Sequence, residues 1–343
     1  MLPSVHALSI SAADRSRLRF LFCAKHACSD GALSPTDGNH AAYHHELLTT
    51  LRGLGLSVET VDRYEALYNP NGFDFVVTLL NRGGFQNSEM LGPLLATKNG
   101  LPYLGATPIL RGLADDKHLC RQLARLHNIP IAQGGIVRQG GISTIEPFEA
   151  DLYVVKPNAS SASWGIQFCE TWAQAQMQIG RLHWEGHDAV IEEWLPLYDV
   201  AVPVIGGRNG MPQLLPPMLF NNGDPLSFRS YEEKRGLIPQ DVSDDLIEID
   251  DVALSSRFHA MVTRLLPEFW PFDYGRLEFR YDPRTGTIHF MEINVSCNLW
   301  SRKSVSRAAA LCGLDHPALV ETVLAHSLQR QGLIESDHRV AVA

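Results

Sequence analysis

The stretch that decides the fold is Asp273-Tyr-Gly-Arg-Leu-Glu-Phe-Arg-Tyr281, followed by Asp282-Pro-Arg-Thr-Gly286 and then Thr287-Ile-His-Phe-Met-Glu-Ile-Asn294. Two runs rich in β-branched and aromatic residues flank a Pro/Gly turn, the pattern of a β-hairpin. With the turn centred near Thr285, Glu278 falls opposite Glu292 and Arg276 opposite Asn294. Side chains opposed across an antiparallel pair share a face, so Arg276, Glu278, Glu292 and Asn294 gather together. Two carboxylates facing each other repel unless something positive lies between them, and carboxylate plus amide oxygen suits a hard cation such as Mg²⁺. The polar face continues into Val295-Ser-Cys-Asn-Leu-Trp-Ser-Arg-Lys-Ser304, an unusual sequence for a plain connector. A solvated hairpin face is the alternative.

The chain has 343 residues, 45% hydrophobic and 20% charged, with 38 acidic against 29 basic residues and a net charge of −9. That size predicts two or three domains with ample core. An acidic balance argues against a general nucleic-acid or anionic-membrane binder. No run reaches the length of a membrane span, and the first ten residues lack the pattern of a signal peptide. Cys23, Cys28, Cys120, Cys169, Cys297 and Cys312 show no metal-type spacing. They read as reduced thiols of a cytoplasmic protein.

Upstream of the hairpin, apolar runs at residues 18–23, 56–61 and 73–80 read as strands, with a helix over 40–54 whose Tyr43, Leu47, Leu48 and Leu51 share one face. Strand, helix, strand, strand predicts a parallel α/β sheet, with ligand groups at loops 23–30 and 81–87. His40, His44 and His45 read as a solvated helix face. A short strand is expected at 101–105, and a helix over 115–127 with Leu119, Leu123 and Leu126 as its packing stripe. Lys117 sits in that helix's first turn, where the macrodipole disfavours a cation unless an anion is near; a solvated lysine is the default reading and a phosphate contact the other. The strand at 151–156 ends in Lys156 and leads into the small-residue loop 157–165, whose backbone N–H groups can line an anion. A strand at 189–195 carries Glu192 and Glu193, and a helix is expected over about 252–266. The tail over 307–331 reads as helical, with Ala309, Leu311, Leu314, Leu319, Val323 and Leu324 as packing positions.

The order of these motifs resembles the ATP-grasp superfamily, most closely its D-alanine–D-alanine ligase branch, over about residues 18–331. Pro102-Tyr-Leu-Gly105, Asp116-Lys117, Lys156-Pro157 with the loop to Gly165, Glu192-Glu-Trp-Leu195, Tyr231-Glu-Glu-Lys234, Gly275-Arg-Leu-Glu278 and Met291-Glu-Ile-Asn294 carry the likeness. It implies an α/β (α+β) ATP-grasp fold with an N-terminal parallel-sheet pre-ATP-grasp domain over 1–114, a central lid domain over 115–200 and a catalytic domain over 201–343. It also implies an ADP-forming ligase that activates an amino-acid carboxylate as an acyl phosphate and joins it to an amine. In that reading Glu278, Glu292 and Asn294 hold two Mg²⁺ ions, with Mn²⁺ as a substitute. Lys117, Lys156 and Lys234 contact the phosphates of ATP, the loop at Ser161 and Ser163 surrounds them, and Glu192, Glu193 and Leu195 read adenine. Asp199 reads the ribose, Arg276 and Lys234 serve phosphoryl transfer, and Asn298, Ser301, Arg302 and Lys303 meet the substrate. The resemblance allows a homodimer.

The sequence departs from that family after Asn294, where Cys297-Asn298 replace a Pro-Gly step, and after Cys23, where no amine-binding acid has a clear counterpart. Cys297 reads as a structural thiol, and Arg302 and Lys303 either suit a larger or more acidic amino acid than alanine or are solvated rim residues. A small-molecule kinase on the same fold and a nucleotide-binding module without turnover are the other readings.

Overall fold

The computed structural model describes residues 5–80, 88–160, 163–221, 236–237, 246–295 and 297–335. After a short helix α1 (Ala12–Arg17), strands β1 (Arg19–Ala24), β2 (Ser57–Val61) and β3 (Phe75–Leu79) form a parallel sheet of order β2-β1-β3, as the alternation of elements predicts. Helix α2 (His40–Gly53) packs Tyr43, Leu47, Leu48 and Leu51 into the core, as their spacing requires. His44, expected to be solvated, is buried instead, because the turn after β1 folds over it. Helix α3 (Leu91–Lys98) follows. Loop 81–87 lies outside the described residues.

Residues 101–105 do not form a strand; they contribute one parallel bridge, Tyr103 to Val76. Their backbone is held largely by the C-terminal helix. Gln331 accepts from the Tyr103 N–H at 3.0 Å and donates to its carbonyl at 2.8 Å, and buried Asp273 accepts from the Gly105 N–H at 2.6 Å. Helices α4 (Pro108–Asp115) and α5 (Lys117–Leu126) come next. Of the leucine stripe expected on α5, Leu123 packs partly buried against the core, but Leu119 and Leu126 are exposed, while Lys117, His118, Cys120, Arg121 and Ala124 are buried. The polar face is turned inward because its cations find partners there, described below.

A four-stranded antiparallel sheet of order β4-β7-β5-β6 combines β4 (Gly134–Val137), β5 (Tyr153–Pro157), β6 (Gln167–Cys169) and β7 (Ala189–Glu193), with α6 (Trp172–Trp184) across it. A larger antiparallel sheet of order β11-β10-β8-β12-β13 carries β8 (Tyr198–Gly206), β10 (Met218–Phe220), β11 (Leu246–Glu248), β12 (Tyr274–Tyr281) and β13 (Ile288–Val295), with β9 (Pro212–Leu214) on β8. The boundary expected at 200/201 falls inside β8. Helix α7 (Val252–Phe269) covers the second sheet through Phe258, Val262, Leu265 and Phe269.

The C-terminal helix expected over 307–331 is two helices, α8 (Ser304–Leu311) and α9 (His316–Arg330). Gly313, at φ +82°, ends the first, and Asp315 caps the second through the Ala318 N–H. Leu311 is partly exposed; Ala309, Leu314, Leu319, Val323 and Leu324 are buried in an apolar cluster that also contains Phe20, Phe22 and Tyr43. No single described helix is long and apolar enough to cross a membrane, and the bent pair α8–α9 that approaches that hydropathy is mostly buried.

Asp273 joins these parts. Fully buried before β12, it also accepts from Ser327 Oγ at 2.6 Å and from Arg330 Nε at 3.0 Å. Asp273→Asn leaves Arg330 without its counter-charge, and a broken buried pair typically costs about 3–5 kcal/mol. We expect a loss of that size in urea unfolding, with Ser327→Ala costing about 1 kcal/mol.

Candidate active site

The hairpin register places Glu278 opposite Glu292 and Arg276 opposite Asn294, as the sequence requires; a bulge at Met291 shifts the remainder by one residue, beyond the polar cluster. Asn294 Nδ2 lies 3.0 Å from Glu278 Oε1 and 3.3 Å from Glu292 Oε1, so the amide donates to both carboxylates. Arg276 Nε donates to Glu278 Oε1 at 2.7 Å. Lys117 Nζ stands 3.8 Å from Glu292 Oε2 and donates to the Ser160 carbonyl. Burial works against the Arg276 charge, and the neighbouring Glu278 carboxylate more than offsets it, so its pKa is raised.

Next to this cluster lies a buried ion triad. Glu192 on β7 receives Lys156 from β5 and, at 2.9 Å, Arg121 from α5. Burial alone raises a carboxyl pKa, but here Lys156 and Arg121 outweigh it and hold Glu192 below the usual range. Helix α5 is fixed to the loop after β5 because the His118 N–H donates to Asn158 Oδ1 at 2.9 Å. That loop turns at Ser163 (φ 64°) and at Gly165 (φ +73°), where an added Cβ would meet Pro157 Cγ at 2.8 Å. Only glycine fits there without strain. Beyond Glu193, the Arg280 guanidinium lies 4.5 Å over the Trp194 ring and pairs with Asp199 at 3.0 Å.

A cavity of about 350 Å³ connects these groups, running from Ile166, Trp194, Leu195 and Phe220 past Lys156, Lys117 and the two carboxylates to a far wall of His40, Tyr43, His44 and Arg111. It therefore collects Lys117, Lys156, Ser163, Glu192, Glu193, Leu195, Asp199, Arg276, Glu278, Glu292, Asn294, Asn298 and Lys303 from the expected set. Ser301 and Arg302 are not in its lining. Ser301 bonds Glu46 through both N–H and Oγ, at 2.9 and 3.0 Å, and Arg302 lies over the Trp300 ring. Ser301 secures the loop against α2, and Arg302 packs within the loop. Ser161 and Lys234 lie outside the described residues. Cys297 lines the cavity; burial pushes its thiol up, although Arg276 pulls the other way.

Sequence reading passed over several lining residues. Arg280 continues the alternation of Arg276 and Glu278 along β12, and Arg121 lies one turn beyond Lys117 on α5, so both carried a periodicity signal. Arg111, Glu89, His40 and His44 carried none that separated them from a surface.

These features, a carboxylate pair beside a lysine-bearing loop and a deep cavity between sheets, define the ATP-grasp class of fold. Two structures of D-alanine–D-alanine ligase from Bacillus anthracis match with TM-scores of 0.66 (complexed with ATP) and 0.69. They cover 92% of this chain and 98% and 99% of theirs, at 15% and 16% identity. The family model for the D-alanine–D-alanine ligase C-terminus matches residues 150–325, just over half of the chain. The protein belongs to the D-alanine–D-alanine ligase family. Among relatives, the D-alanine–D-alanine ligase of Gluconobacter oxydans (strain 621H) is 26% identical over 83% of this chain and 86% of its own. The uncharacterized protein y4sG of Sinorhizobium fredii is 26% identical over 82% of each.

The far wall yields a pH prediction. His44 Nδ1 accepts from the His26 N–H at 3.2 Å, and burial lowers its pKa to about 3; burial first, then His26 and Lys25, lowers His40 to about 4. The unfolded chain takes up these protons near pH 6.5, the folded chain only near those lower values. Folding is therefore most favoured above pH 6.5 and loses up to about 1.4 kcal/mol per pH unit for each ring as pH falls below it. We expect His44→Gln to flatten the dependence of the urea midpoint on pH between 6.5 and 4; an unchanged slope refutes this.

Proposed function

We propose that this protein is an ATP-dependent, ADP-forming carboxylate–amine ligase of the D-alanine–D-alanine ligase type. The observation that carries the reading is the face shared by Arg276, Glu278, Glu292 and Asn294, continuous in one cavity with Lys117 and Lys156. A carboxylate is a poor electrophile, and phosphorylation gives it a leaving group. A substrate carboxylate oxygen attacks the γ-phosphorus and ADP leaves. The amine nitrogen then attacks the acyl carbon, and phosphate and a proton depart.

Negative charge gathers at the transferring group throughout, and catalysis here is positioning with electrostatic stabilisation. Arg276, oriented by Glu278, supplies fixed positive charge beside the transfer point. Lys117 and Lys156 supply it on the phosphate side, each held by a carboxylate that keeps it aimed into the cavity. Lys234 joins them in this reading. The base end is formed by Glu192, Glu193 and Leu195, with Asp199, fixed by Arg280, for the ribose. Because Glu192 already holds Lys156 and Arg121, its part is to order those cations as well as to face the base.

The donor set fits a divalent ion. Two adjacent half-buried carboxylates share the Asn294 amide between them with cations on their flanks, and rotating that amide brings its oxygen into the same gap. Glu278, Glu292 and Asn294 would hold Mg²⁺, two ions in the family pattern, which neutralises phosphate charge when bound. Free cysteines and the absence of a long apolar helix among the described residues agree with a cytoplasmic location.

Incubation with Mg·ATP and pairs of amino acids tests the reading. ADP and phosphate release with an amide-sized mass gain is expected; a stable phosphorylated product indicates a kinase instead. Glu292→Gln is expected to lower kcat by about 10²–10³ with the unfolding midpoint nearly unchanged. Near-normal activity in that variant removes the metal assignment.

A further inference from the structure

Past the carboxylate pair the cavity ends against α2, α4 and the start of α8, and this end has donors to spare. Arg111, 8% exposed, donates through Nη1 to Glu89 Oε2 at 2.8 Å and to the Val295 carbonyl at 3.1 Å, while its Nε has no partner. Ser304, 2% exposed and first in α8, has an unpartnered Oγ on the same lining. Lys303 makes no side-chain cap to that helix, whose first turn presents N–H groups and the positive end of the macrodipole. His40 and His44 complete the wall as uncharged rings, since burial holds them neutral. Apart from the pair on the hairpin, Glu89 is the carboxylate that the described residues bring to this end, and Arg111 already engages it.

A buried donor left unmade costs about 1–3 kcal/mol, and a guanidinium with a spare edge is matched by a carboxylate. The neutral rings of His40 and His44 repel nothing anionic. Resting on the ligase reading, we propose that the acid this enzyme activates carries a second anionic group, a carboxylate besides the one phosphorylated, and that Arg111 selects it with Ser304 at the head of α8. Arg111 is then a specificity residue that sets which acid is positioned over the hairpin.

The test uses the full-length protein with Mg·ATP and hydroxylamine as the amine, so that hydroxamate reports the activated acid whatever the natural amine is. Isosteric pairs remove charge alone: glutamate against glutamine and aspartate against asparagine, in both enantiomers, and succinate against succinamate. We expect the charged member of at least one pair to exceed its amide by about ten-fold or more in kcat/KM. Arg111→Met should bring that ratio near one through a raised KM, and Arg111→Lys should restore part of it. Equal or inverted efficiencies in the wild-type protein, or alanine as the better acid, overturn the inference while the ligase reading stands. A ratio that survives both substitutions also overturns it. Absence of both hydroxamate and ADP with every acid overturns the ligase reading and the inference together.

Discussion

Two like charges held side by side govern this molecule. Glu278 and Glu292 occupy opposite positions of one antiparallel pair, where facing carboxylates are unfavourable unless their field is compensated. Compensation comes from Asn294 between them, Arg276 on one flank and Lys117 on the other. Each compensating group brings a structural element with it. Lys117 explains why α5 turns a polar face inward, and Arg276 lies on β12, whose start is tied to the C-terminal helix by buried Asp273.

The same logic extends away from the hairpin. Lys156 and Arg121 are admitted to the interior because Glu192 lies between them, and Arg280 because Asp199 and Trp194 receive it. Buried cations with such partners keep their charge and a fixed direction, which is what polyphosphate recognition demands. At the opposite end the pattern changes to neutral histidines and an arginine with an unused edge. A cavity with cation–carboxylate pairs along its length and an unsatisfied donor at its end is polarised toward an anionic occupant.

The hairpin was legible because β-structure repeats every two residues: once the turn was placed, the opposed pairs followed, and the bulge at Met291 lay beyond them. Family motifs supplied the order of the remaining segments. Helix α5 misled because Leu119, Leu123 and Leu126 have good helical spacing, yet ion pairing with Glu192 and Glu292 decided the buried face. Residues 101–105 looked like a strand, but their pairing with β3 stops at the two bonds to Val76, and Gln331 and Asp273 take the Tyr103 and Gly105 backbone. The break at Gly313 carried its own signal, a glycine followed by an Asp-His-Pro start, which the apolar spacing across it obscured.

What the sequence by itself determined was local and periodic: the hairpin and its register, the parallel alternation at the N-terminus, and the run of motifs that marks the family. Tertiary structure alone decided the burial of His44, the turning of Ser301 toward Glu46, and the meeting of Arg111 with Glu89 and Ser304 in one cavity. The reason is one of range. Hydrogen-bond register and side-chain alternation are fixed by neighbours along the chain, whereas the environment of a charge depends on which distant segments close around it.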